Sequence, residues 1–210
     1  MLTLHYSPGT ASLVVHWLLL ELDVPHELRR VDLDAGEQKS PAYLKLNPAG
    51  RVPTLVVDGQ AIGEAAAIVM HLADLHPAAR LAPAPGTPAR ASYYQWMFFA
   101  ANTLQPAYRA WFYPTEPAGE AHVDAVKAQA RTQIEAAWER VAAHFDDGRP
   151  YLLGDELSAA DFMITMLMRW SRNMPRPAHT APSLAAYAAR MKARPTFREL
   201  YAREGLTEWA

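Results

Sequence analysis

The stretch LTLHYSPGTASLVVHWLLLELDVPHELRRVDL, residues 2–33, decides the fold. Leu2, Leu4 and Tyr6 alternate with Thr3 and His5, the period of two expected of a short strand with one buried face. Ser7-Pro8-Gly9 ends it. From Thr10 the period changes: Leu13, Trp17 and Leu20 fall at i, i+4 and i+7, the spacing of a helix, with Thr10 or Ser12 fit to be its N-cap. A second extended stretch runs from about His26 to Leu33. A tight hairpin cannot join parallel strands across a helix, so the unit reads as a right-handed βαβ crossover.

Downstream come a polar segment, Gly36 to Leu46, and the turn Asn47-Pro48-Ala49-Gly50. Val52 to Asp58 reads as a third strand, Asp58-Gly59 as a hairpin turn and Ala61-Ile62 as a brief fourth strand. Glu64 opens a helix, since Ile68, Leu72 and Leu75 share one face until Pro77 stops it. From Pro77 to Pro88 lie four of the 17 prolines, a composition that resists helix and sheet alike and marks a stiff linker. Beyond it the periods are helical: Ala89 to Trp111, then the stripe Val123, Val126, Ala130, Ile134, Ala137, Val141 and Phe145. Ser158 and Asp161 make a capping-box variant before Phe162 to Trp170, which is apolar almost all round and so belongs in a core. Two short helices follow, the second starting at Pro195. The expected architecture is an α/β domain over residues 1–78, a linker over 79–88 and an all-α bundle over 89–210.

The 210 residues are half apolar and one fifth charged, with a formal charge of −2. No broad positive field exists to attract nucleic acid or an anionic membrane, so neither is an expected partner. The absence of cysteine excludes disulfides, thiolate-ligated zinc and a catalytic thiol, so any thiol chemistry must use a ligand's sulfur. Residues 1–6 lack the basic start of a signal peptide and Leu13 to Leu22 is too short to span a bilayer, so the chain is expected to be cytoplasmic. No Gly-x-Gly-x-x-Gly, phosphate loop, Gly-x-Ser-x-Gly or His-Glu-x-x-His occurs. Isolated histidines such as His71 and His144 read as surface or core residues, and no metal is expected.

Three features remain: the Tyr6 to Ser12 turn at a helix N-terminus, the Arg51-Val52-Pro53 step, and Glu64 at the mouth of a helix. A proline leading into a strand cannot donate to a ladder, which suits a turn where the Val52 main chain pairs with an extended peptide ligand. An ordinary edge-strand start would look the same. Glu64 can accept from a ligand ammonium while the N–H of Ala65 and its neighbours receive a carboxylate, although a plain helix-dipole cap shares that pattern.

Taken in order and spacing, YSPGTAS, NPAGRVPTLVVDG, IGEAAAIVMHLA and LSAADF resemble the cytosolic glutathione transferases over essentially the whole chain. YSPG, AIVMHLAD and LMRW resemble the bacterial beta-class branch most. The resemblance implies a thioredoxin-like first domain that binds glutathione, a cis proline at Pro53, and a helical second domain lining the acceptor pocket. It implies glutathione contacts at Lys39, Arg51, Val52, Pro53, Glu64 and Ala65. The family usually has Ser where Ala65 stands, and plant-type members have His where Gln38 precedes Lys39. Beta-class members carry Cys at the position of Ala11 and a His-Lys pair at Gln105-Pro106, so their mechanism is not inherited intact. The phi, theta and delta classes place a Ser at the position of Thr10, which makes Thr10 the first activating residue to consider, Ser12 the second and Tyr6 the third. A hydrogen bond to a charged group contributes about 1.5–3 kcal/mol and a helix N-terminus about 0.3–1 kcal/mol, together enough to bring a thiol from about 8.5 to near neutrality.

For the acceptor, Tyr108, Trp111, Phe112 and Tyr113 cluster near the end of the long helix, where Met166 and Trp170 can face them; core packing gives the same pattern. The resemblance starts the acceptor site at Tyr108 and Arg109. The reading is transfer of the glutathione thiolate to a small apolar electrophile, with detoxification as its setting. The alternatives are a disulfide reductase or peroxidase that uses two glutathiones in place of cysteines, or a glutathione-binding protein without turnover. Tyr93, Tyr94, Trp96, Met97, Phe98 and Phe99 are more large apolar residues than one helix face buries in its own bundle, which points with the resemblance to a homodimer.

Overall fold

Leu4 is fully buried at the centre of β1 (Leu2–Tyr6), and the strands assemble around it. A computed structural model describes residues 2–209. The apolar helix α1 (Ser12–Glu21) leads to β2 (His26–Arg30), which pairs parallel with β1 and sets Leu28 beside Leu4. This strand is shorter than the His26 to Leu33 stretch expected. The polar segment after it is not a plain loop: Pro41 opens α2 (Pro41–Leu46), whose Tyr43 N–H donates to the Ser40 hydroxyl at 3.2 Å. β3 (Thr54–Val57) runs antiparallel to β1 with Leu55 opposite Leu4, and β4 (Gln60–Ile62) runs antiparallel to β3. The sheet order is β2-β1-β3-β4, and α3 (Ala65–Leu75) follows. α1 buries Leu13, Val14, Val15, Trp17, Leu18 and Leu19, the behaviour of a helix that is apolar all round.

Pro83–Arg190 forms a separate helical unit. Thr87 caps α4 (Pro88–Phe99), accepting from the Arg90 N–H at 3.2 Å. The single helix expected from 89 to 111 is interrupted by a π-helical turn at Ala100–Leu104 before α5 (Gln105–Phe112). Pro106 explains it: proline has no N–H and its ring crowds the carbonyl four residues back, so the turn widens. After the short α6 (Thr115–Ala118), the stripe of α7 (Val123–His144) buries Ala130, Ile134, Ala137, Trp138 and Val141. α8 (Ala159–Trp170) is buried from Ala159 through Arg169. Its box is formed, with the Ser158 N–H and hydroxyl donating to the Asp161 carboxylate at 2.8 and 2.9 Å. α9 (Pro182–Lys192) adds Tyr187, whose hydroxyl donates to the Asp161 carbonyl at 3.0 Å. Among the described residues no helix is long and apolar enough to cross a membrane.

The last helix, α10 (Pro195–Glu204), departs from the expectation that the helical domain continues to residue 210. From Met191 onward the chain packs with the first unit. Phe197 lies 5.1 Å from Trp17, the Trp17 indole donates to the Thr196 hydroxyl at 3.1 Å, and Arg194 and Thr196 both bind the Glu21 carboxylate. α1 is apolar all round and the sheet and α3 leave one flank of it open. α10 covers that flank.

Candidate functional site

Sheet register brings the three sequence features to one end of the first unit. His5, next to last in β1, pairs with Thr54, the first residue of β3, and Leu55 pairs with Ile62, the last residue of β4. The turn after β1, the Val52-Pro53 step before β3 and Glu64 just after β4 therefore share an edge of the sheet.

In the turn, Gly9 takes φ 70°, the left-handed conformation that glycine adopts without steric cost. The Thr10 hydroxyl lies 2.7 Å from the Ser7 carbonyl and 2.9 Å from the Ser12 hydroxyl, which itself lies 2.9 Å from the same carbonyl. The Ser12 oxygen also accepts from the Ser7 N–H at 3.1 Å. Neither hydroxyl is the N-cap expected for α1. That position is Ala11, with no side-chain cap, because both hydroxyls turn back toward Ser7. Ser12 is fully buried, whereas Thr10 keeps a partly open face. Tyr6 is half-buried, its ring 5.8 Å from that of His16.

Behind the turn stands a group that sequence reasoning missed. The Glu204 carboxylate, fully buried, accepts from the Gly9 N–H at 2.8 Å with one oxygen and meets His16 Nδ1 at 2.9 Å with the other. It lies 195 residues from Gly9, and no local pattern marks it.

Val52-Pro53 is the cis peptide bond among the described residues. The Arg51 side chain is exposed, but its carbonyl is held by the Tyr43 hydroxyl at 2.8 Å and the Asn47 amide at 2.9 Å. Burial raises the Tyr43 hydroxyl above its ordinary range and keeps it a donor. Val52 itself is half-buried, just outside the β3 ladder. Lys39 is exposed and leans over Gly50, where a Cβ would stand 2.8 Å from its ammonium nitrogen and 2.9 Å from the Gln38 carbonyl. Glu64 adopts φ 62° and ψ 107°, a strained conformation for a residue with a side chain, and that side chain caps nothing in α3. The first N–H groups of α3, starting at the buried Ala65, thus remain available to an anion.

The chain matches the family profile described as "Glutathione S-transferase, N-terminal domain" over residues 10–75 and "Glutathione S-transferase, C-terminal domain" over 124–203. It is 35% identical to the glutathione S-transferase GST-4.5 of Xanthomonas campestris pv. campestris, covering 97% of this chain and 98% of that protein. The chain belongs to the glutathione transferase family. Among solved structures, a glutathione transferase homolog from Sulfitobacter with bound glutathione has a TM-score of 0.90 at 28% identity, covering 99% of each chain. The beta-class glutathione S-transferase of Sphingomonas chungbukensis has a TM-score of 0.86 at 29% identity, covering 98% of this chain and all of that one.

In this transferase's helical unit the acceptor residues named above separate. Tyr108 is fully buried, its oxygen accepting from the Trp138 indole at 2.8 Å, and Met166 is buried in α8. Neither side chain offers exposed surface to a ligand. Phe112 stacks on Tyr108 at 6.0 Å and meets Trp170 edge-on at 6.2 Å, and about half of its surface is open. Tyr113 lies under the Arg109 guanidinium at 3.8 Å, and Arg109 is paired with Glu116. Trp111 faces Lys127 instead. Among the described residues no cluster of three or more His, Asp or Glu could hold a metal ion.

Proposed function

We propose that this transferase activates glutathione with the Thr10 hydroxyl and passes the thiolate to a small apolar electrophile. The observation that carries the reading is the convergence, at one end of the sheet, of a partly open hydroxyl, the Val52 main chain and an uncapped helix N-terminus with Glu64 beside it. Glu64 accepts from the γ-glutamyl ammonium, and the first N–H groups of α3 take the adjoining carboxylate. Val52 and Pro53 pair with and support the cysteinyl backbone, while Lys39 and Arg51 supply positive charge for the glycyl carboxylate. Ala65 lacks a hydroxyl, so one side-chain contact to the γ-glutamyl group is missing.

The thiol proton leaves to solvent and the thiolate accepts the Thr10 hydroxyl hydrogen bond near the N-terminus of α1. Sulfur then attacks the electrophilic carbon, the C–S bond forms, and the leaving group departs with its electron pair as an anion. Phe112, Trp170 and Tyr113, with Arg109 and Trp111 at the margin, receive the apolar acceptor. The reaction needs no metal and places the protein among cytoplasmic detoxification enzymes.

The homodimer belongs to this reading. Tyr93, Trp96, Met97 and Phe99 are buried, which leaves Tyr94 and Phe98 as the apolar excess on α4, with Phe98 57% exposed. A two-fold contact would cover them.

The test is retention on immobilised glutathione together with conjugation of a chlorinated nitroarene. Binding with conjugation supports the proposal. Disulfide reduction outpacing conjugation would select the two-glutathione reductase, and binding without turnover a glutathione-binding protein. Neither binding nor turnover would end the reading.

A further inference from the structure

We infer that Gly50 is a positioning residue that seats the Lys39 ammonium at a fixed reach from the Val52 main chain. It thereby sets the preference for glutathione over a thiol dipeptide that lacks the terminal glycine. The inference deepens the site proposed above and rests on it.

Gly50 closes the turn Asn47-Pro48-Ala49-Gly50, its N–H donating to the Asn47 carbonyl at 2.9 Å. Asn47 clamps that turn to the strand that follows. Its side-chain amide donates to the Arg51 carbonyl at 2.9 Å and to the Thr54 hydroxyl at 3.0 Å, and its oxygen accepts from the Ala49 N–H at 3.1 Å. The Tyr43 hydroxyl meets the same Arg51 and Thr54 groups at 2.8 and 2.9 Å. Val52 lies between those two residues in the chain, so its main chain is held in register with the turn.

On its other side the turn rests on the 3-10 turn Glu37–Lys39. Gly50 is buried there at φ 59°, and a Cβ on it would stand 2.8 Å from Lys39 Nζ, 2.9 Å from the Gln38 carbonyl and 3.0 Å from Lys39 Cδ. The ammonium could swing away from such a carbon. The Gln38 carbonyl is main chain and could give way only by shifting the turn that carries Lys39. Any side chain at position 50 therefore displaces both the ammonium and its base. With glycine in place, the Lys39 stem lies against the turn and Nζ donates to the Ala49 carbonyl at 3.4 Å. An ammonium carries three hydrogens, so two remain for a ligand.

Successive residues of an extended peptide are about 3.3–3.4 Å apart. With the cysteinyl residue paired to Val52, the glycyl carboxylate is the next group along, and a seated ammonium meets it only in a ligand of that length. A thiol dipeptide carries its carboxylate one residue short. Gly50 offers the ligand no side chain of its own and acts through Lys39.

The experiment is calorimetric affinity for glutathione and for γ-glutamylcysteine, which is glutathione without its glycine. The parent should prefer glutathione. Lys39→Met should weaken glutathione about threefold or more, as loss of an exposed ion pair does, and leave the dipeptide within about twofold. Gly50→Ala and Gly50→Asn should do the same. Asparagine tolerates left-handed backbone, so agreement of the two assigns the loss to the Cβ and not to strain. Gly59→Ala is the control, since Gly59 takes φ 88° with nothing within 4 Å of its Cβ position, and it should leave both affinities unchanged. Adding Gly50→Asn to Lys39→Met should cost glutathione nothing further. In the parent itself, the Gly50 amide NMR signal should move with glutathione and hold still with the dipeptide, a readout that needs no variant to fold. Equal weakening of the two thiols in the Gly50 variants is what a merely structural role would give, and it would overturn the inference. So would a preference unmoved in Lys39→Met, a further loss in the double variant, or a Gly50 signal indifferent to bound glutathione. Each of these leaves the glutathione site standing. A parent that binds neither thiol would end that site and this inference together.

Discussion

Removing the Thr10 hydroxyl is the sharpest test of the mechanism, and the turn itself sets the size of the effect. The Ser7 carbonyl faces the Thr10 N–H at 3.3 Å, the Thr10 hydroxyl at 2.7 Å and the Ser12 hydroxyl at 2.9 Å. When Thr10 swings its proton to a bound thiolate, that carbonyl keeps two donors and is not left unpaired. The exchange therefore trades a neutral hydrogen bond of about 0.5–1.5 kcal/mol for a charge-assisted one of about 1.5–3 kcal/mol. The net gain is about 1–1.5 kcal/mol, or about one pKa unit on the bound thiol. Thr10→Ala should shift the pH–rate profile of conjugation upward by about one unit. The rate should fall about tenfold below both midpoints and not at all above them, while Thr10→Ser stays near the parent. Thiolate absorbance of the binary complex should report the same shift without turnover. Ser12→Ala is the contrast: its fully buried oxygen serves Ser7 on both sides, so its loss should appear as about 1–3 kcal/mol of stability with little movement of the profile. An unchanged profile in Thr10→Ala, with an upward shift in Ser12→Ala or Tyr6→Phe, would refute the choice of Thr10.

Glu64→Gly should raise the melting temperature, because glycine relieves about 1 kcal/mol of strain at φ 62°, while glutathione affinity measured by calorimetry falls. A loss of both would mean that the conformation is not the source of the cost. Burial pushes the Asp161 carboxyl up to about 6 against the hydrogen bonds that pull it down. The folded chain thus binds a proton that the unfolded chain releases near 4, so this group's contribution falls by about 3 kcal/mol as pH rises from about 4 to above 6. Asp161→Asn lacks that slope, and urea unfolding should show the parent's advantage shrinking over the window; an advantage that grows would contradict the sign. Phe98→Glu should convert a species of twice 23.3 kDa into one of 23.3 kDa in light scattering, and a parent already monomeric would remove the dimer from the proposal.

The parts of this fold that could be read from sequence are those whose cause is local. The alternation of Leu2, Leu4 and Tyr6, the Asp58-Gly59 turn and the Ser158-to-Asp161 box each recruit neighbours within a few residues, and each appears where its pattern places it. α2 was hidden because its signal is one Ser-Pro start followed by six residues with only Tyr43 buried. The π turn was hidden because helical spacing does not show where Pro106 will be absorbed. In the site, the types of Thr10, Ser12, Val52 and Glu64 were legible, but the directions of the hydroxyls were not. Those depend on one carbonyl, at Ser7, that competes with the helix N–H groups for both. Tyr108 illustrates the same limit, since an aromatic at helical spacing gives no sign of whether its hydroxyl meets solvent or the Trp138 indole.

α10 explains why the remainder lay out of reach of sequence. It is fixed to α1 at two points: Arg194 and Thr196 bind Glu21 at one end, and Glu204 reaches His16 and the Gly9 N–H at the other. These contacts join residues 173 to 195 positions apart, so closing them requires the whole helical unit to be accommodated between their ends. The entropy of such closure grows only slowly with loop length, so buried contacts like Trp17 on Phe197 can offset it. The consequence for the chemistry is specific. The loop that carries the proposed activating hydroxyl is short and rich in glycine and proline, and its own sequence does not fix where Gly9 points. A carboxylate from the far end of the chain does: Glu204 accepts from the Gly9 N–H at 2.8 Å and is itself held against His16 Nδ1 at 2.9 Å.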